Sequence, residues 1–128
     1  ITLLEELVKE NDPFGLFTLG RVYALGESDV QKDLSKGTDL LEKAAQNGSV
    51  RAYYVLGIAH HGTPKAFKYY KLGAEANDLP CMEQLAYCYL RGEGVEADVQ
   101  LHDYWMNKYR KNGGKTFGTA LRMSNAKN

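Results

Sequence analysis

Three features of this 128-residue sequence predict an all-α chain built from repeated antiparallel helix pairs. A leucine followed by a small residue recurs as Leu19-Gly20, Leu56-Gly57 and Leu85-Ala86. Four positions before each leucine stands Gly15, Ala52 or Cys81, and three positions after each small residue comes Tyr23, His60 or Tyr89. Self-similarity at this period is the mark of a stacked repeat. Between these motifs, Leu34, Gly37, Leu41, Ala44 and Ala45 follow the three–four spacing of an amphipathic helix, with Lys36, Glu42 and Lys43 on the other face. No stretch sustains the alternation of a strand.

Boundary signals place the elements in order. The expected helices run 2–10, 13–25, 34–46, 50–61, 64–76, 79–91, 99–111 and 115–125. Asp12-Pro13 and Thr63-Pro64 each pair an N-cap residue with proline at the first helical position, and Asp33, Ser49, Asp78 and Asp98 are further N-cap candidates. Asn47-Gly48, Asn77-Asp78 and Asn112-Gly113 suit the left-handed residue that ends a helix. Loops 26–32 and 92–97 join the two helices of a unit, and Gly62-Thr63 does so alone in the middle unit. The second helices repeat as well: Leu40-Leu41 is matched by Leu3-Leu4, Tyr69-Tyr70 and Trp105-Met106. The reading is one domain, 1–128, with units of about 15–48, 52–77 and 81–113 and flanking helices 2–10 and 115–125.

The totals remove several function classes. The chain is 44% hydrophobic and 25% charged, and its 16 basic and 16 acidic residues cancel. A neutral balance gives no electrostatic basis for binding nucleic acid or an anionic membrane. The nine tyrosines do not restore that reading, because stacking platforms for nucleic acid work together with positive charge. No apolar run approaches the ~20 residues of a membrane span. Cys81 and Cys88, if on one helix, are separated by about two turns, ~10 Å of rise, beyond the ~7 Å that a disulfide tolerates. They are expected as reduced core residues. With no signal-like segment in view, a cytoplasmic location is the expectation, although Ile1 rather than methionine stands first.

The run Leu19-Gly20, Tyr23, Gly26, Asp33, Gly37, Leu40-Leu41-Glu42-Lys43-Ala44-Ala45, Gly48 resembles one unit of the Sel1-like repeat family, a relative of the tetratricopeptide repeat. Leu85-Ala86, Tyr89, Gly92-Glu93-Gly94-Val95, Asp98 and Trp105 resemble another, and the middle unit keeps Ala52, Leu56-Gly57, Tyr69-Tyr70 and Ala74 without the long loop. The resemblance implies a right-handed α-solenoid with a concave inner face, a protein-binding role and no shared catalytic residues. His60 departs from the aromatic of the other units, and Tyr109-Arg110 replaces the small pair in the last one, as in a terminal repeat that closes a stack.

In such a stack the first helix of each unit lines the groove. Counting from Gly15, Ala52 and Cys81, the groove-facing stripe is Phe14, Phe17, Arg21 and Ala24; Arg51, Tyr54, Ile58 and His61; and Pro80, Glu83, Tyr87, Leu90 and Arg91. Aromatic and arginine side chains are enriched at binding hot spots. Rival chemical signals are weak. His60 and His61 are adjacent and point about 100° apart on a helix, and His102 with Asp98 and Asp103 has no further ligand at metal spacing. Gly92-Glu93-Gly94 lacks the lysine–hydroxyl pair of a phosphate loop. Lys108, Arg110, Lys111 and Lys115 complement the end of a helix dipole. The sequence therefore predicts a non-enzymatic module, without metal or cofactor, that binds a polypeptide through the groove as a monomer or as a heterodimer with its partner. The narrower expectation is an inhibitor, immunity-type or adaptor protein; the alternative is an accessory or activator subunit of an envelope or polysaccharide enzyme system.

Overall fold

A computed structural model describes residues 2–115. They form seven helices: α1 (Thr2–Lys9), α2 (Pro13–Leu25), α3 (Leu34–Gln46), α4 (Arg51–Ala59), α5 (Pro64–Glu75), α6 (Leu79–Arg91) and α7 (Val99–Lys111). There is no strand among the described residues. The helix expected over 115–125 lies outside them apart from Lys115.

Four aspartates start four helices in the same way. The carboxylate of Asp12 accepts from the Gly15 N–H at 2.9 Å, Asp33 from Lys36 at 3.1 Å, Asp78 from Cys81 at 3.2 Å and Asp98 from Leu101 at 3.1 Å. Each satisfies a backbone donor that the first helical turn leaves unpaired. Two other expected caps do not form. The residue before α4 is Val50, already in helical conformation (φ −62°, ψ −35°), and no side chain caps the helix there. Thr63 is extended, but its hydroxyl donates to the carbonyl of His60 at 2.7 Å. That bond, with the Thr63 N–H on the same carbonyl at 3.1 Å, folds the chain out of α4 after Ala59 rather than at the expected residue 61.

The helices stack in sequence, each packed on the next. In addition the backbones of α2 and α4, and of α4 and α6, come close, whereas those of α3, α5 and α7 stay apart; α3 and α5 meet through side chains, the Tyr69 hydroxyl donating to the Glu42 carboxylate at 2.6 Å. The stack is therefore tighter along α2, α4 and α6, which form its inner face. The chain is an all-α solenoid of about three repeats.

Small residues permit this approach. A methyl group on Gly37 would meet the Ala24 backbone nitrogen at 2.5 Å, and one on Gly57 would run into the ring of Tyr70. The core has two clusters, Leu16, Leu19, Leu41, Ala52 and Leu56 toward the amino end and Tyr70, Cys81, Met82, Leu85 and Trp105 toward the carboxyl end; Tyr53 packs against both. Cys81 and Cys88 are free and buried. His60, in place of an aromatic, is buried too: its Nε2 lies 2.9 Å from the Thr38 hydroxyl and its ring 5.5 Å from that of Tyr69. The imidazole thus does the packing of an aromatic while its polar atom is satisfied across the α3–α4 boundary.

Candidate partner-binding groove

The inner helices present the stripe unevenly. At the amino end Phe14 is 66% exposed, while Phe17 is half-buried against the amino-terminal core cluster. The Arg21 guanidinium lies 5.6 Å from the Phe17 ring centre and bonds Glu27 at 3.2 Å. Ala24 does not belong to the stripe: it is fully buried. Gly37 lets α3 close directly over it, and the third unit has the bulkier His102 at the corresponding place in α7.

In the middle unit Ile58 is 39% exposed and His61, beyond the end of α4, is exposed. Tyr54 is half-buried and packs against the carboxyl-terminal cluster, 6.4 Å from the Tyr70 ring centre. Arg51 is committed elsewhere: its Nε donates to Asp78 at 2.9 Å. In α6, Tyr87 and Pro80 are half-buried, Leu90 is 48% exposed and Arg91 is exposed. Glu83 turns toward α7, where burial first and then the Glu83 carboxylate raise the pKa of the Tyr109 phenol.

Two recesses gather these residues. Arg51, Tyr54 and Glu83 meet Leu79, Tyr109 and Lys115 in an open depression. His61, Tyr87 and Arg91 border a deeper cleft of about 400 Å³, whose floor is Ala66, Phe67, Tyr70 and Cys88 and whose rim adds Gln84 and Glu93. Phe14, Phe17, Arg21, Ile58 and Leu90 belong to neither. Phe67 and Tyr70 escaped the sequence reading because it counted register positions on first helices, whereas both come from α5; Gln84 stands on α6 at a position the register did not count. The available signal was the shortened connection after α4, which lies against this cleft.

Neither Cys88 nor Tyr70 on the cleft floor is activated for ionisation. Burial, then the charge of Glu93, pushes the Cys88 thiol up to about 11, and burial raises the Tyr70 phenol as well. Thiolate is the nucleophilic form, so the cysteine is held inert near neutral pH. Arg91 lies 5.3 Å from the Tyr87 ring centre, and its Nη1 is 3.9 Å from the Glu93 carboxylate, a loose contact between two exposed side chains. Among the described residues no three His, Cys, Asp or Glu side chains come together as a metal site would require, and no helix is long and apolar enough to cross a membrane.

Similar proteins share this architecture. The Sel1 repeat matches residues 13–49, 50–78 and 79–101, together more than half of the chain. A Sel1 repeat protein of Oxalobacter formigenes superposes with a TM-score of 0.76 at 26% identity, over 87% of this chain and 48% of that one. The protein c5321 of uropathogenic Escherichia coli strains, a protective antigen with an SLR fold, does so with a TM-score of 0.73 at 23% identity, over 83% of this chain and 24% of that one. This chain thus spans about half the length of the first and about a quarter of the second. A search of curated proteins gives no match. Sel1 repeats are generally protein–protein interaction modules and typically non-catalytic scaffolds. Three consecutive matching units on a single helical stack leave one conclusion: the chain belongs to the Sel1 repeat family.

Proposed function

We propose that this chain is a non-catalytic module that binds a segment of another polypeptide along the face formed by α2, α4 and α6, as an adaptor or as an inhibitor that covers its partner's working surface. One observation carries the reading: Phe14, Ile58 and Leu90, large apolar side chains at 66, 39 and 48% exposure, all lie on inner helices and not in the core. Exposed apolar residues are ordinary on a protein surface, and α1, α5 and α7 expose Leu3, Leu72, Val99, Leu101 and Tyr104; on the inner helices they stand beside the aromatic and arginine side chains of Tyr87 and Arg91, the composition of a hot spot. Affinity capture with the wild type and with Ile58→Asp/Leu90→Asp, followed by binding measurements on the captured protein, tests it. Loss of binding in a variant that keeps its helical circular dichroism supports the reading, and unchanged binding overturns it.

A further inference from the structure

The middle unit differs from its neighbours in one respect that leaves space behind. Its helices are joined by residues 60–63 alone, against 26–33 in the first unit and 92–98 in the third. The third unit's connection inserts Val95 against the carboxyl-terminal core. The middle one, His60-His61-Gly62-Thr63, has no apolar side chain to offer. The cleft of about 400 Å³ opens beside it, with Phe67, Tyr70 and Cys88 left as an apolar floor. That volume is at the small end of ligand sites, ~300–1,000 Å³. It suits one or two side chains and not a folded element.

The rim narrows the choice. The Arg91 guanidinium carbon lies 5.3 Å from the Tyr87 ring centre, and one of its nitrogens touches Glu93 at 3.9 Å. A contact of that length between exposed side chains contributes little. Among the described residues the rest of its donor fork has no partner, and a fork of this kind pairs best with a carboxylate in bidentate fashion. Floor and rim together ask for an apolar, preferably aromatic, group with a carboxylate a few bonds away. In a polypeptide that is an aromatic or leucine side chain next to an aspartate or glutamate, or at the carboxyl terminus.

We infer that this cleft is an anchor pocket for an apolar side chain of the partner, flanked by a carboxylate that pairs with Arg91. The inference rests on the groove-binding reading above and adds the chemistry of what is bound. The partner's anchor takes up the space that a longer connection would fill, and its carboxylate displaces the loose contact to Glu93.

A titration of the isotope-labelled full chain, followed by amide chemical shifts, tests the pocket without the partner. The probes are 3-phenylpropionate, its neutral amide and phenethylamine. The expected result is shifts at Phe67, Gln84, Tyr87 and Arg91, with 3-phenylpropionate bound about tenfold more tightly than phenethylamine. Arg91→Glu should abolish that preference. Gln84→Trp, or Gln84→Phe if the larger ring unfolds the chain, should block all three probes. Equal binding of the three, shifts scattered away from the cleft, or a preference that survives Arg91→Glu would overturn the pocket. The two readings separate on the captured partner: if Gln84→Trp binds it normally while Leu90→Asp does not, the anchor fails and the groove stands. If both variants bind normally, both readings fail.

Discussion

Arg51 at the start of α4 donates from Nε to Asp78 at 2.9 Å, and the same Asp78 carboxylate caps α6 through the Cys81 N–H at 3.2 Å. The pair ties one unit's first helix to the start of the next. Its two ends are unequal, since the Asp78 side chain is 7% exposed and that of Arg51 is 55% exposed. Asp78→Ala removes cap and ion pair together and should cost about 1–2 kcal/mol. Arg51→Ala should cost less, because the cap survives. Urea unfolding of both single variants and the double variant gives the coupling; equal losses from the two single changes would show that the cap contributes nothing.

His60 makes stability depend on pH. Burial, then the charge of Lys65, lowers its pKa below 6.5, against an opposing pull from Glu42. The folded protein therefore favours the neutral ring, and below pH 6.5 the unfolded chain binds more protons than the folded one. The contribution is complete above that value and is lost as pH falls through the folded pKa. The urea midpoint should drop between pH 7.5 and about 5, and His60→Phe should remove part of that drop. An identical drop in the variant would assign the effect to other groups.

The close approach of α3 to α2 depends on Gly37. Alanine there would gain about 1 kcal/mol of helix propensity, but its methyl would meet the Ala24 backbone at 2.5–2.7 Å. Backbone cannot rotate aside, so overpacking of about 1–3 kcal/mol should prevail. Thermal unfolding of Gly37→Ala should show a lower midpoint, and a raised one would mean that the helices separate at no cost.

Both thiols should resist alkylation in the folded protein. Cys88 is held at about 11 and Cys81 higher still, chiefly by burial. Iodoacetamide at neutral pH should label neither until denaturant is added. Rapid labelling of the native chain would contradict the packing of α6.

The fold was legible because its signals are local. Asp12, Asp33, Asp78 and Asp98 stand just ahead of their helices, and Gly57 or Gly37 marks a crossing whatever surrounds it. Of the positions that register places on the groove, Phe14, Ile58 and Leu90 are exposed. Register could not say what else a side chain would meet. Arg51 found Asp78, Glu83 turned to Tyr109, Ala24 was covered by α3, and Tyr54 came to rest on Tyr70. Tyr54→Ala would mix stability with binding, and Tyr87 is the cleaner probe. The cleft was the least legible feature, because it depends on a missing loop and on side chains from two helices of different units.

The central claim is that the inner face, and not the outer one, carries binding. Its most direct test is the dissociation constant of the captured partner for the wild type, for Tyr87→Ala and Leu90→Asp on α6, and for Leu72→Asp on the outer helix α5, where the leucine is 38% exposed. The account predicts losses of roughly tenfold or more for the two inner variants and none for Leu72→Asp. Unchanged affinity in the inner variants, with a loss in Leu72→Asp, would contradict it.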